Sequence, residues 1–341
     1  MEFFPDIPRE VGAIRTIGVI LLNLGGPDSL NSVRPFLYNL FSDREIIKLG
    51  TPSLQKPLAW LIATLRSAKA EGMYRCIGGG SPMLSITSAQ AVALEKALKE
   101  TCGADERLWK VYVGMRYWHP FIEDAVKRMC DDGVRTAVAL SLYPQYSLAT
   151  TGSALTKFKE EADRHSLETS CVASWFDHPL YIDALSDVIE KGLDSFQKGD
   201  ADLLFSAHSL PVRIIESGDP YVEQVLGTIG EVVKKVNARW HLSYQSKSGP
   251  VKWLSPSTEE RIAELAEGGV KNLLVVPISF VSDHIETLYE IDILYKRYAD
   301  RLGINLVRTQ SLNTHPLFID ALKDLVMKAV EKEGWLGTQT R

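Results

Sequence analysis

Short, nearly continuous apolar runs alternate along the chain with longer stretches in which apolar residues recur every three or four positions. The runs TIGVILLNL, LWKVYVGM, TAVALSLYP, SCVASWF, DLLFSAHS, WHLSYQS, NLLVVPISF and INLVRTQS have the length and β-branched content of strands. Between them, QAVALEKALKE, FIEDAVKRMC, YIDALSDVIEKGLDSF, EERIAELAEG and LFIDALKDLVMKAVEK carry the helical period. Apolar strands separated by amphipathic helices predict an α/β protein whose parallel strands are covered on both faces. Eight such strands in 341 residues fit a barrel or two smaller doubly wound sheets, and their uneven spacing favours the sheets. No short internal repeat is visible in the sequence.

In open α/β sheets ligands bind beyond the C-terminal strand ends, which makes the strand exits informative. They read NLGGPDS, GMRYWHP, YPQYSLATTGS, SWFDHP, SAHSLP, YQSKSGP and ISFVSDHIE. Turns require Gly and Pro there, but not so many His, Tyr, Trp and Arg. Neither a G-x-G-x-x-G nor a phosphate-binding G-x-x-x-x-G-K-[ST] stretch occurs, so a nucleotide cofactor is not indicated.

Composition narrows the setting. The chain is 45% hydrophobic and 24% charged, the balance of a soluble globular protein with a sizeable core. A net charge of −5 without a Lys/Arg stripe argues against nucleic acid as a partner. The N-terminal MEFFPDIPREVGAIR carries Glu2 and Asp6 where an export signal is basic, and it lacks an apolar core, so a cytoplasmic location is expected. No stretch approaches the ~18–20 apolar residues needed to cross a bilayer. Cys76, Cys102, Cys130 and Cys171 are scattered without a C-x-x-C pair and read as reduced thiols.

One exit is unusually acidic. FVSDHIETLYEID, residues 280–292, follows the apolar run NLLVVPISF. In an α-helix begun near Asp283, Asp283, Glu286 and Glu290 fall within roughly a 60° arc, with Asp292 on the other side. Asp283 as N-cap with Glu286 three residues on would make a capping-box-like pair, favoured by the helix dipole. That reading leaves Glu290 and His284 without a task. An acidic stripe at a pocket mouth can instead collect a divalent cation without caging it.

His208, in FSAHSLPVR, ends an apolar run among Ser206, Ala207 and Ser209. It reads as a satisfied turn histidine or, at a strand exit with small neighbours, as an accessible proton acceptor titrating near neutrality. RCIGGGSPM offers backbone donors and close approach to a ligand. Tyr74, Tyr117, Trp118, Tyr143, Tyr146, Trp175 and Trp253 lie near strand exits, where a flat apolar ligand could stack. On these residues alone three readings stand together. One is an enzyme acting on a flat apolar ligand, and another is a non-catalytic carrier of such a ligand or of a metal. The third is a hydrolase whose metal is gripped by His208, Asp283 and His284.

The motifs in their order add more. LLNLGGPDSL, IGGGSPM, MRYWHP, YPQYS-x-x-TTGS, FSAHSLP, QSKSGPVKWLSPST and SFVSDHIETLYEID resemble stretches of the ferrochelatases, in sequence from about Thr16 to Phe318. That resemblance implies two Rossmann-like domains, each a four-stranded parallel sheet with helices, facing one another across a cleft. The first would comprise residues 14–176 with a returning C-terminal helix in 315–341, and the second residues 177–314. It implies insertion of Fe²⁺ into protoporphyrin IX, with iron as a substrate and no permanently bound cofactor.

Residue by residue, the resemblance makes His208 the acceptor of pyrrole protons and Glu286 its acidic partner, both near the metal. Asp283, His284 and Glu290 would form a metal path or proton relay. Arg116, Tyr117, Tyr143, Trp253 and Leu24 would line the macrocycle, and Arg66, Tyr74 and Ser81 would hold its propionates. A porphyrin must lose two N–H protons as the metal enters, and a pocket that bends the ring exposes their lone pairs.

Three departures refine the expectation. Animal members bind a [2Fe–2S] cluster through cysteines, whereas Leu148 stands at the matching internal position and no Cys-bearing tail follows; no cluster is expected. Met115 precedes Arg116-Tyr117 where an aromatic is frequent. LNLGGP resembles the protoporphyrin-using branch more than the coproporphyrin-using one. PLAWLIATLR, residues 57–66, is apolar almost all round. It reads as a core helix, or by resemblance as a lip over the pocket in peripheral contact with the inner membrane.

Overall fold

A computed structural model describes residues 16–101, 109–197 and 200–335. The N-terminal reading of residues 1–15, Cys102, and the expected domain ends at 14–15 and 336–341 lie outside them.

Each of the eight apolar runs holds a strand or, for SCVASWF, the end of one. β1 (Ile17–Asn23), β2 (Trp109–Met115), β3 (Thr136–Ser141) and β4 (Glu168–Val172) form one sheet in the order β2-β1-β3-β4. β5 (Asp202–His208), β6 (Trp240–Gln245), β7 (Asn272–Pro277) and β8 (Asn305–Arg308) form a second, ordered β6-β5-β7-β8. All pairings within the sheets are parallel. The central strands β1 and β3 are buried along their whole length, because helices cover both faces. The described residues are thus α/β, with two four-stranded open sheets.

The helices of the first half are α1 (Val33–Ser42), α2 (Pro52–Cys76), α3 (Met83–Thr101), α4 (Ile122–Asp131) and α5 (Ser153–Arg164). Those that follow are α6 (Pro179–Leu193), α7 (Val212–Glu216), α8 (Tyr221–Val232), α9 (Thr258–Glu267), α10 (Lys296–Arg301) and α11 (Pro316–Glu333). A wide i→i+5 turn, Leu148–Gly152, follows β3 and runs into α5, and a longer one, Glu286–Tyr295, follows β7 and runs into α10. The halves therefore repeat each other in strand order and in this detail.

The repetition reaches the sequence. His178-Pro-Leu-Tyr-Ile-Asp-Ala-Leu opens α6, and His315-Pro-Leu-Phe-Ile-Asp-Ala-Leu opens α11. It is a single long-range copy, which a search for short periods passes over. The two helices pack together, and the contacts are reciprocal. His178 Nε2 lies 2.7 Å from Asp324 of α11, and His315 Nε2 lies 2.7 Å from Asp187 of α6. α11 also packs on α3, and so ties the halves.

Trp175 belongs to this seam. Expected near the pocket, it is instead buried in the core, edge-on to Tyr181 at 5.0 Å and 5.9 Å from Phe318, with its indole N–H donating to the Ser141 carbonyl. Such aromatic pairs contribute about 0.5–1.5 kcal/mol beyond their buried area. Among the described residues no helix is long and apolar enough to cross a membrane.

α2 is not a core helix. Its small face, Ala59 and Ala63, is buried, and α2 packs chiefly on α1. Trp60 (55% exposed) and Leu65 (73%) point to solvent with Leu54 and Leu61.

Candidate active site

The two sheets present their strand ends to a common cleft. In each, the two central strands, β1 and β3 or β5 and β7, lie at the point where strand order reverses, the usual ligand position in such sheets. Asn23 and Leu24 leave β1, and Leu142 and Tyr143 leave β3. From the other side come Phe280, Val281, Ser282, His284 and Glu286, which follow β7. With Met83 these residues line the cleft, which holds about 340 Å³ of space including its open mouth.

His208 ends β5. Its backbone N–H donates to Ser279 at 3.2 Å, and its carbonyl accepts from the Tyr221 hydroxyl at 2.9 Å. So fixed, its ring places Nδ1 2.8 Å from Glu286 Oε2. Burial alone would push the imidazole down, but the Glu286 charge and hydrogen bond raise its pKa above the ordinary 6.5. Burial likewise penalises the Glu286 carboxylate, yet the His208 charge and hydrogen bond hold it well below the ordinary carboxylate range. The two form an ion pair, with Glu286 in the cleft lining and the His208 ring 6.0 Å from that of Phe280, which also lines it.

The pair extends. Ser246 Oγ lies 2.7 Å from Glu286 Oε2 and 2.5 Å from Glu290 Oε2. One hydroxyl has one hydrogen and cannot donate to both carboxylates. The trio closes when Glu290 carries a proton, and burial followed by the Glu286 charge does raise Glu290 to about 7. Ser246 holds this place with φ of 66°, a left-handed conformation uncommon for a serine. Sequence reading passed over Ser246; its position in the exit YQSKSGP was the available signal.

His284 is buried with its ring edge-on to Phe280 at 4.2 Å. Its Nδ1 lies 3.0 Å from the Ser282 carbonyl, so the proton sits on Nδ1 and Nε2 keeps a lone pair. That Nε2 is buried without a partner. Burial pushes His284 below its ordinary pKa, keeping the ring neutral.

Asp283 departs from expectation. It neither caps an α-helix nor joins Glu286 and Glu290. The helix begins at Glu286 with i→i+5 spacing, and the Asp283 carboxylate accepts from Arg308, Ser311, Asn313 and Thr287. The arginine outcompetes a first-turn cap because it offers charge as well as hydrogen bonds. Among the described residues no three His, Cys, Asp or Glu side chains converge as a metal cage.

The remaining expected residues divide. Leu24 and Tyr143 line the cleft. Burial, then the Glu286 charge, push the phenols of Tyr143 and Tyr74 up, so both stay neutral. Arg116 and Tyr117 flank an adjoining recess, but both polar ends are committed to Asp43 Oδ2, at 2.6 and 2.7 Å. Arg66 reaches from α2 to Ser248 at 2.7 Å. Trp253 is half-buried on the loop after β6, opposite Pro211. Ser81 closes the Gly-rich loop against NLGGPD, where a Cβ on Gly26 would stand 2.5 Å from Ser81 Oγ and one on Gly80 2.5 Å from the Asp28 carbonyl. Two of those glycines serve this close approach of loops.

Solved structures share this arrangement. SirB from Bacillus subtilis, solved with Fe³⁺, superposes with a TM-score of 0.54 over 94% of this chain and 98% of that one, at 14% identity. A second SirB structure, described as a sirohydrochlorin chelatase in complex with cobalt, gives 0.51 over 94% and 97%, at 13% identity. The fold is that of the two-domain chelatases.

Sequence carries the assignment further, and the chain belongs to the ferrochelatase family, whose profile matches residues 16–330. Ferrochelatases of Desulfotalea psychrophila and Geotalea uraniireducens are each 51% identical to it, covering 92% of this chain and 97% and 98% of theirs. That of Gloeothece citriformis is 48% identical over 94% of this chain and 84% of its own.

Proposed function

We propose that the protein inserts Fe²⁺ into protoporphyrin IX to give protohaem and two protons, the last step of haem synthesis. The observation that carries this reading is the ion pair between His208 and Glu286, the latter lining a cleft between two sheets. Neutral His208 accepts a pyrrole proton and Glu286 balances the imidazolium. Ionised Glu290, reached through Ser246, takes that proton on and returns His208 to its neutral form for the second one. His284 Nε2 offers the entering iron a lone pair. Leu24, Tyr143, Trp253, Arg116 and Tyr117 flank the macrocycle, and Arg66, Tyr74 and Ser81 receive its propionates.

The domains of this reading are residues 14–176 with 315–341, and 177–314. The exposed Trp60 and Leu65 support α2 as a lip in peripheral contact with a membrane from the cytoplasmic side. The test is anaerobic Fe²⁺ insertion followed by loss of porphyrin fluorescence. Turnover is expected for the wild type, with a loss of about 10²–10⁴-fold in His208→Ala. No turnover by folded wild type, with Fe²⁺ or Zn²⁺ and with protoporphyrin or coproporphyrin, refutes the reading.

A further inference from the structure

A helix bonded i→i+5 is rare and mostly confined to a single bulged turn. Here the wide turn runs ten residues, Glu286–Tyr295, so contacts outside its own backbone must hold it. Arg308, the last residue of β8, supplies the principal ones. Its Nε and Nη2 donate to the two oxygens of Asp292 inside the helix, each at 2.8 Å. Its Nη1 donates at 3.0 Å to Asp283, ahead of the helix. The guanidinium is only 10% exposed, and its planar fork matches this bidentate grip as a lysine could not. Gln245 adds a bond from its side-chain amide to the Glu286 carbonyl at 3.1 Å. Neither Arg308 nor Asp292 lines the cleft.

We propose that Arg308 is a positioning residue for metal insertion, its two-sided grip holding the wide turn in which Glu286 and Glu290 both reach the Ser246 hydroxyl. A wide turn has more than the 3.6 residues of an α-helical one. Relaxation to the α form would therefore rotate Glu290 relative to Glu286 and part it from Ser246. The kinetic consequence rests on the chelatase reading; the structural one rests on the contacts alone.

The test compares wild type with Asp292→Asn, Arg308→Gln and Arg308→Lys. Backbone hydrogen exchange of residues 286–295 is measured beside steady-state insertion with Fe²⁺ and porphyrin varied separately. Exchange in this segment should quicken by about tenfold in Asp292→Asn and Arg308→Gln, with β5 and β7 unchanged. Because Glu290 loses Ser246, kcat should fall by about tenfold while KM for the porphyrin stays within about twofold. Arg308→Lys keeps the charge but not the fork, and should resemble Arg308→Gln. Unchanged exchange in Asp292→Asn, or an undiminished kcat in it, overturns the proposal. If Arg308→Gln fails to fold, Asp292→Asn, at a partly exposed site that leaves the Arg308–Asp283 bond, decides alone. A wild type that inserts no metal removes the proposed function, and the exchange experiment still decides whether Arg308 holds the helix.

Discussion

His208 Nδ1 and Glu286 Oε2 lie 2.8 Å apart, and each biases the other's charge. The imidazole is raised by its partner against the pull of burial, and the carboxyl is held low by its partner against the same pull. A base that must be neutral to accept a proton is therefore still charged at pH 6.5, so the insertion rate should rise with pH through a midpoint above that value. In Glu286→Gln the partner charge is gone and burial remains, which lowers the His208 pKa. The acid limb should then move to lower pH while the maximal rate falls. Rate–pH profiles of the two proteins check this, and an unmoved midpoint refutes the coupling.

The same pair sets a stability window. The raised His208 adds stability fully present below its unfolded pKa of about 6.5 and lost as pH rises through the folded value. The depressed Glu286 adds stability present above about 4.5 and lost as pH falls through its folded value. Both are complete between those limits. The wild type should exceed His208→Ala in denaturation midpoint most between about pH 4.5 and 6.5, by urea titration at several pH values.

Ser246→Gly separates backbone from hydroxyl. Glycine accepts a φ of 66° without strain, which offsets about 1 kcal/mol of the loss. The melting temperature should stay within a few degrees of wild type (~1 kcal/mol). The bridge to Glu290 would be lost all the same, and kcat should fall by about tenfold. Thermal unfolding beside insertion kinetics reads both, and undiminished turnover removes Ser246 from the site.

Much of this was legible in the sequence, and the limits have physical causes. Eight apolar runs announced eight strands because central parallel strands are buried on both faces and leave a plain signature. His208 and Glu286 were legible as types at strand exits. The wide turn was not, because the spacing of Asp283, Glu286 and Glu290 suits an α-helix and the contacts that forbid one come from Arg308, fifteen or more residues on. Trp175 looked like pocket lining for a related reason. A large aromatic at a strand end faces the cleft or the seam according to what α6 and α11 bring to it, and that is a tertiary fact.

The reciprocal pairs between α6 and α11 should act independently. Asp324→Ala leaves the buried His178 without its acceptor, and Asp187→Ala does the same to His315. Losing a buried partner costs about 1–3 kcal/mol. The pairs sit near opposite ends of the helix packing, so the double variant should lose the sum of the two within about 0.5 kcal/mol. Urea denaturation of both single variants and the double tests this; a double loss no larger than one single loss would show the clasp to be a single unit.

Trp60 and Leu65 stand mostly in solvent on a helix whose opposite, alanine face is buried. Burial of apolar surface on a bilayer contributes about 25 cal/mol per Å², so two such side chains matter to a weak, reversible attachment and not to the fold. Trp60→Ser with Leu65→Ser should leave the melting temperature unchanged and reduce co-sedimentation with lipid vesicles severalfold. If α2 also guides a greasy porphyrin into the cleft, the same variant should raise KM for protoporphyrin in vesicles more than in detergent. Equal vesicle binding by variant and wild type would leave α2 without a membrane role.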